Sequence, residues 1–276
     1  MSPELPSPGL QSPGLPSSAR DGIISRLSRS ITGRVAIVTG AASGMGRATA
    51  ALFAREGALV AALDLDGAGL ASLVAESSGT IVAFVCDVSD DGAITATVDE
   101  VRRALGPIDI LINNAGTTAA APYDDAQFPQ AWDKAIAINL TAPMRFVRAC
   151  LDDLRRNGDG RIVNIASTEG LGATIRTGPY TASKHGVIGL TRSLAVELGR
   201  SGVTANAICP GPIRTGMTAQ IPEDSKNTFA KRRVPVGRYG EPEEVAHIIL
   251  SLVLPASSYL NGTVIPVDGG MMANNR

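Results

Sequence analysis

Seven short apolar runs recur along the chain, at 35–38, 59–63, 81–86, 108–112, 162–165, 204–208 and 263–267, and the stretches between them are long enough for helices. Near-continuous apolar runs of this length suit strands buried on both faces, the pattern of parallel sheets rather than of half-exposed antiparallel ones. Parallel neighbours need crossover connections, which helices supply. The expected fold is therefore α/β: one doubly wound domain over 31–276 with a seven-stranded parallel sheet and helices on both faces. In such sheets ligands bind beyond the carboxyl ends of the strands, so those ends are where chemistry is sought.

The first carboxyl end carries Thr39-Gly40-Ala41-Ala42-Ser43-Gly44-Met45-Gly46 and leads into an expected helix over 47–56. Glycines between a strand and a helix N-terminus let backbone N–H groups approach a pyrophosphate, whose charge the helix dipole favours. The spacing is Gly-x-x-x-Gly-x-Gly, not Gly-x-Gly-x-x-Gly, and the Gly-Lys-Ser/Thr ending of an ATP-binding loop is absent. Strand two ends at Asp64. A carboxylate there accepts hydrogen bonds from the ribose hydroxyls and repels a 2′-phosphate, so NAD is expected over NADP. Ser43 adds no positive charge that would hold that phosphate.

A third stretch reads Gly178-Pro179-Tyr180-Thr181-Ala182-Ser183-Lys184. Pro179 fits the first helical position, and no proline follows as far as Leu198. Tyr180 and Lys184 then lie one turn apart on one helix face. An ammonium and a positive helix terminus both favour phenolate, so the phenol pKa is expected to fall toward the working range of an acid–base catalyst.

With these residues placed, the chain resembles the short-chain dehydrogenase/reductase family over 31–270, whose Rossmann-like domain matches the expected fold. Asn113-Asn114-Ala115-Gly116 resembles the motif that stabilises the sheet and borders the cofactor. Asp87-Val88 resembles the adenine-contacting pair, Pro210-Gly211-Pro212-Ile213-Arg214-Thr215 the segment that holds the nicotinamide carboxamide, and Val267-Asp268-Gly269-Gly270 the end of the last strand. Asn139, Ser167, Tyr180 and Lys184 match the catalytic tetrad. The resemblance implies a nicotinamide-dependent oxidoreductase. Its cofactor residues are Gly40, Ser43, Gly44, Met45, Gly46, Asp64, Asp87, Val88, Asn114, Ala115, Gly116, Tyr180, Lys184, Pro210, Gly211, Ile213 and Thr215. Tyr180 is then the general acid/base, Lys184 lowers its pKa and binds the nicotinamide ribose, Ser167 holds the substrate oxygen, and Asn139 holds a water leading from Lys184 to solvent. For Asn139 a helix-kink or capping role is the competing reading.

The segments 168–177 and 215–235 are expected to wall the substrate pocket, the second as a closing lid; Glu169 and Arg176 are either substrate contacts or simply solvated charges. The stretch 235–246 resembles that of 3-oxoacyl-acyl carrier protein reductases, which typically use NADPH, contrary to Asp64. A secondary-alcohol or hydroxysteroid-type NAD dehydrogenase is therefore the expected activity, with the acyl reductase as the alternative. Gly-x-Ser-x-Gly is missing, against a hydrolase. A non-catalytic nucleotide-binding protein predicts a damaged tetrad, and all four positions are filled.

Composition excludes further classes. A net charge of −1 without a strongly basic patch argues against a nucleic-acid partner. Two histidines and three scattered cysteines, Cys86, Cys150 and Cys209, offer no metal-site spacing and suit buried thiols in a reducing cytoplasm. No apolar run reaches membrane-spanning length. The expected helices over 180–198 and 242–254 are apolar on more than one face, so a homotetramer is expected. Residues 1–30 are rich in Pro, Ser and Gly, with Ser7-Pro8-Gly9-Leu10 repeated as Ser12-Pro13-Gly14-Leu15, and read as a flexible extension. Ile23, Leu27 and Ile31 with Arg26 and Arg29 leave a transit peptide as the lesser alternative to a cytoplasmic tail.

Overall fold

The structure, a computed structural model, describes residues 28–77 and 80–274. The expected flexible extension lies outside the described residues except for 28–30, as do Ile23, Arg26 and Leu27 of the transit-peptide stripe. Seven strands form one sheet in the order β3-β2-β1-β4-β5-β6-β7, every pair parallel. They are β1 (Val35–Thr39), β2 (Leu59–Asp64), β3 (Ile81–Val85), β4 (Ile110–Asn113), β5 (Arg161–Ile165), β6 (Thr204–Pro210) and β7 (Val264–Val267). The helices are α1 (Gly44–Arg55), α2 (Gly67–Glu76), α3 (Asp91–Leu105), α4 (Phe128–Ile136), α5 (Ala142–Ala149), α6 (Leu151–Arg155), α7 (Gly178–Leu198), α8 (Glu223–Arg233) and α9 (Pro242–Val253).

Successive side chains of a strand point to opposite faces, and both faces are buried along the inner strands β2, β1, β4, β5 and β6, which read as apolar runs, while the edge strands β3 and β7 are partly exposed. Ala36 and Val38 of β1 join a core with Phe53 of α1, Leu70 of α2 and Ile249 of α9. Val35 and Ile37 join the opposite core with Ile94 and Val98 of α3, Phe146 of α5 and Leu198 of α7. Phe53 and Phe146 are fully buried anchors of the two layers; truncating either to Ala costs about 3–5 kcal/mol.

Strand order reverses between β1 and β4, and the connections leaving these two strands turn toward opposite faces. That leaves a crevice beyond their carboxyl ends. Most boundaries differ from expectation by one to three residues. Helix α1 begins at Gly44, three residues early, because Ser43 is its extended N-cap residue. Pro179 is the second residue of α7, a position where its missing N–H is equally harmless. Strand β4 starts at Ile110, while Ile108 ahead of it is buried all the same.

Candidate active site

The crevice is built by close backbone approach at the ends of β1 and β4. Thr39 Oγ1 accepts the N–H groups of Asn114 and Ala115, each at 3.0 Å, and donates to the Ile112 carbonyl. Asn114 Nδ2 returns across the gap to the Thr39 and Gly40 carbonyls at 2.8 and 3.1 Å. Gly40 takes φ +67°, open to glycine and strained for other residues. At Gly46 the requirement is space: a Cβ would lie 2.1 Å from the Gly40 carbonyl oxygen and 2.4 Å from Asn114 Nδ2. Only glycine lets α1 start this close to the strand.

A cavity of about 290 Å³ opens above this clamp, lined by Gly40, Ser43, Gly44, Met45, Asp64, Asp87, Val88, Asn114, Ala115, Gly116 and Thr215 among others. The Asp64 carboxylate is fixed there: Oδ2 accepts the Ala42 N–H and Oδ1 the Asp66 N–H, each at 3.0 Å. Lone pairs remain on both oxygens for a further pair of donors. Asp87 accepts the Ser89 hydroxyl and N–H at 2.7 and 2.8 Å, and these bonds hold its carboxyl below the usual range. Glycine-relieved crowding and an open helix N-terminus suit the pyrophosphate of a dinucleotide, and the carboxylate at the end of β2 faces the same cavity as an acceptor.

Four polar side chains gather beside this cavity. The Lys184 ammonium is buried and donates to the Ile165 carbonyl at 2.7 Å, and its Nζ lies 5.6 Å from the centroid of the Tyr180 ring. Burial draws its pKa down to about 8. Ser167 caps the short 3-10 turn Thr168–Gly170, its Oγ accepting the Glu169 N–H at 3.1 Å. Asn139 sits in a π-helical turn, Ala137–Thr141, between α4 and α5. Its Oδ1 accepts the Thr117 N–H, and its Nδ2 donates to the Thr117 carbonyl and to Ser183 Oγ. Asn139 thus lies where the helix widens, and its side chain ties the strand-four loop to α7. Gly116 joins both parts: a Cβ on it would lie 3.2 Å from Asn139 Oδ1 and 3.6 Å from Lys184 Nζ.

The expected depression of the Tyr180 pKa is corrected. Burial pushes the phenol up, Ser167 pulls it back, and the Glu169 and Cys209 groups push it further up, for a net rise. Desolvation disfavours phenolate by more than the neighbouring dipoles favour it.

A family profile described as "Enoyl-(Acyl carrier protein) reductase" matches residues 40–272. The 3-oxoacyl-(acyl-carrier-protein) reductase FabG of Thermotoga maritima is 40% identical over 245 residues, 88% of this chain and 99% of that one. The chain belongs to the short-chain dehydrogenase/reductase family. A 3-alpha-(or 20-beta)-hydroxysteroid dehydrogenase of Mycobacterium bovis is 36% identical, covering 90% of this chain and 92% of its own. The crystal structure of a levodione reductase superposes with a TM-score of 0.82 at 37% identity, over 88% of this chain and 98% of that one. These relatives make the protein an oxidoreductase of the family that acts on alcohol and ketone groups.

Within this short-chain dehydrogenase/reductase some expected cofactor residues stand back from the cavity. Gly46 is closed off against Gly40. Pro210 ends β6, Gly211 packs against Asp268, where a Cβ would meet Asp268 Cβ at 2.7 Å, and Ile213 is buried in a bridge to Gly240. They brace the segment that brings Thr215 to the cavity. Conversely Leu65, Cys86 and Ile138 line it without having been expected, while Gly216 and Met217 come from the 215–235 segment expected to wall the substrate pocket. Leu65 and Cys86 directly follow β2 and β3, so reading one residue past each strand end would have found them. Glu169 is half-buried, and three threonines hold its carboxylate. Among the described residues no group of three or more His, Cys, Asp or Glu side chains could hold a metal ion. No described helix is long and apolar enough to cross a membrane.

Proposed function

We propose that the protein is an NAD(H)-dependent oxidoreductase acting on a secondary alcohol or the corresponding ketone. The observation that carries this reading is the convergence of Ser167, Tyr180 and Lys184 beside a glycine-lined cavity whose β2 end is the fixed carboxylate of Asp64. Gly40, Ser43, Gly44, Met45 and Asn114–Gly116 would hold the dinucleotide, with Asp64 on the adenosine ribose, Asp87 and Val88 on the adenine, and Thr215 on the carboxamide. Pro210, Gly211, Ile213 and Gly46 stand behind this lining and brace it. The nicotinamide supplies the hydride acceptor or donor when bound.

The chain's own residues handle the proton. Tyr180 takes it from the alcohol during oxidation and returns it during reduction. Ser167 orients and polarises the substrate oxygen. Lys184, with a pKa drawn down to about 8, carries a proton that leaves readily, and it stabilises the phenolate when charged. Asn139 holds the helix opening through which a water reaches Lys184. The buried free thiols Cys86, Cys150 and Cys209 support a cytoplasmic setting. Exposed Val196 on α7 and Tyr259 and Leu260 beyond it support self-association as a tetramer, which light scattering tests: a monomer would count against it.

The FabG relative favours a second reading, an NADPH-dependent acyl-thioester reductase of biosynthesis. Titration with NADH and NADPH, followed by a panel of secondary alcohols under NAD, separates the two. Tight NADH binding and alcohol oxidation support the first reading. NADPH preference with reduction of a 3-oxoacyl thioester replaces it with the second.

A further inference from the structure

We infer that Glu169 is a positioning residue for catalysis: its carboxylate clasps the loop after β5 to the first turn of α7 and thereby sets Tyr180 against Ser167. The inference rests on the proposed roles of Tyr180 and Ser167. The connections run both ways from one residue. The Glu169 N–H donates to Ser167 Oγ at 3.1 Å. The Glu169 carboxylate accepts from the Thr174 N–H at 2.9 Å, Thr174 Oγ1 at 2.5 Å and Thr181 Oγ1 at 2.9 Å, and the Thr177 hydroxyl stands 3.1 Å away. Thr181 directly follows Tyr180 in the chain. Thr177 and Thr181 also touch each other, with 3.0 Å between their hydroxyl oxygens, which closes the ring of donors around the carboxylate.

The carboxylate gathers a surface loop onto the helix. The loop it gathers is mostly exposed, and inside the clasp Arg176 adopts φ +68°, a left-handed conformation that non-glycine residues seldom take. The far side of the turn is tight as well: a Cβ on Gly170 would lie 2.8 Å from the Lys184 carbonyl oxygen. Loop and catalytic helix therefore move as one body, with Glu169 as the link on the open side.

The clasp also brings a negative charge toward the phenol. The ionisable groups around Tyr180 are Glu169 on the loop, Lys184 on α7 and Cys209 on β6. His185 of α7 contacts the Thr181 carbonyl through Nδ1. Burial pushes the Cys209 thiol up to about 11, so it stays neutral through the working range, and Lys184 and His185 are common to every variant below. Burial raises the Glu169 carboxyl, but the bonds from Thr174, Thr181 and Thr177 outweigh it and keep it ionised. Removing this charge moves the Tyr180 titration to lower pH.

The test compares Glu169→Gln, Glu169→Asp and wild type, with Tyr180→Phe as reference. The ultraviolet absorbance of tyrosinate against pH, differenced against Tyr180→Phe, reports the Tyr180 titration without any substrate; kcat and KM are read on an alcohol accepted from the panel under NAD. Glu169→Gln is expected to shift the titration and the acidic limb of the oxidation profile to lower pH. Glu169→Asp keeps the charge but withdraws it from the threonines, so the titration holds while kcat falls by roughly tenfold to a hundredfold with KM little changed. An unshifted Tyr180 titration in Glu169→Gln, or wild-type kcat in Glu169→Asp, overturns the inference. Equal losses of melting temperature, NADH affinity and kcat in both variants, without a pH shift, also overturn it. Turnover retained by Tyr180→Phe would instead overturn the function on which it rests.

Discussion

Gly46→Ala is the sharpest probe of the crevice, because a single methyl group meets the Gly40 backbone and an Asn114 amide already held between two carbonyls. The new Cβ would sit 2.1 Å from the Gly40 carbonyl oxygen, so helix and strand must part by about 1.3 Å to reach ordinary contact. Overpacking of this kind costs about 1–3 kcal/mol. The displaced Asn114 amide also loses its hold on the Thr39 and Gly40 carbonyls, at about 0.5–1.5 kcal/mol for each bond. The expected destabilisation is about 3 kcal/mol, which for a domain of this size lowers the melting temperature by about 6–12 °C. NADH affinity, titrated by fluorescence, should fall at least roughly tenfold as the phosphate-facing turn opens. Gly67→Ala is the control: it begins α2 at an exposed position, its Cβ would meet only Val85 Cγ2 at 3.4 Å, and no loss is expected. A Gly46→Ala protein with wild-type melting and wild-type NADH affinity would refute the steric account of the crevice.

Three further outcomes follow from the same geometry. Asp64→Ala should relax a preference for NADH over NADPH, since the carboxylate that repels a 2′-phosphate is gone; an unchanged ratio of dissociation constants means Asp64 does not read the ribose. Lys184→Met should abolish turnover and yet raise stability at pH 7 by a few kcal/mol, because a buried ammonium with a pKa near 8, against 10.5 when exposed, is disfavoured in the fold. The unfolded chain binds the extra proton between those values, so wild-type stability rises with pH through that window and the advantage of Lys184→Met shrinks. Melting curves at pH 7 and pH 10.5 check this, and an advantage that grows with pH contradicts it. Cys150, fully buried with its pKa pushed up to about 12, should resist thiol reagents in the native protein; rapid labelling at pH 8 would show that the α5–α6 corner opens.

The sheet was legible because burial on both faces of its inner strands leaves apolar runs that sequence displays directly, from Val35 through Pro210, and the partly exposed edge strands β3 and β7 keep enough of the pattern to be seen. The place of Asp64 at the cavity was legible for a related reason: the carboxyl end of a strand is a fixed point in a parallel sheet. Side-chain networks were not legible in the same way. Glu169 shows no periodicity, and its partners Thr174, Thr177 and Thr181 become a ring only once the loop is folded. The Tyr180 pKa was misjudged because spacing reveals which groups are near and not how much water they lose. Asn139 reads as a polar residue within a helix, and the π-helical turn around it depends on Thr117 and Ser183 from two other elements. Pro210, Gly211 and Ile213 belong to a recognisable segment, and the packing of Gly211 against Asp268 and the bridge from Ile213 to Gly240 show only in the fold, with Thr215 of the same segment lining the cavity.

The central claim is that Tyr180 exchanges the proton in a nicotinamide site, and Tyr180→Phe tests it with the loss of one oxygen atom. NADH binding and turnover of an accepted alcohol are measured on the same preparation. The account predicts wild-type NADH affinity and a turnover reduced by at least roughly a thousandfold. Retained turnover alongside intact NADH binding would show that another group moves the proton and would contradict the account.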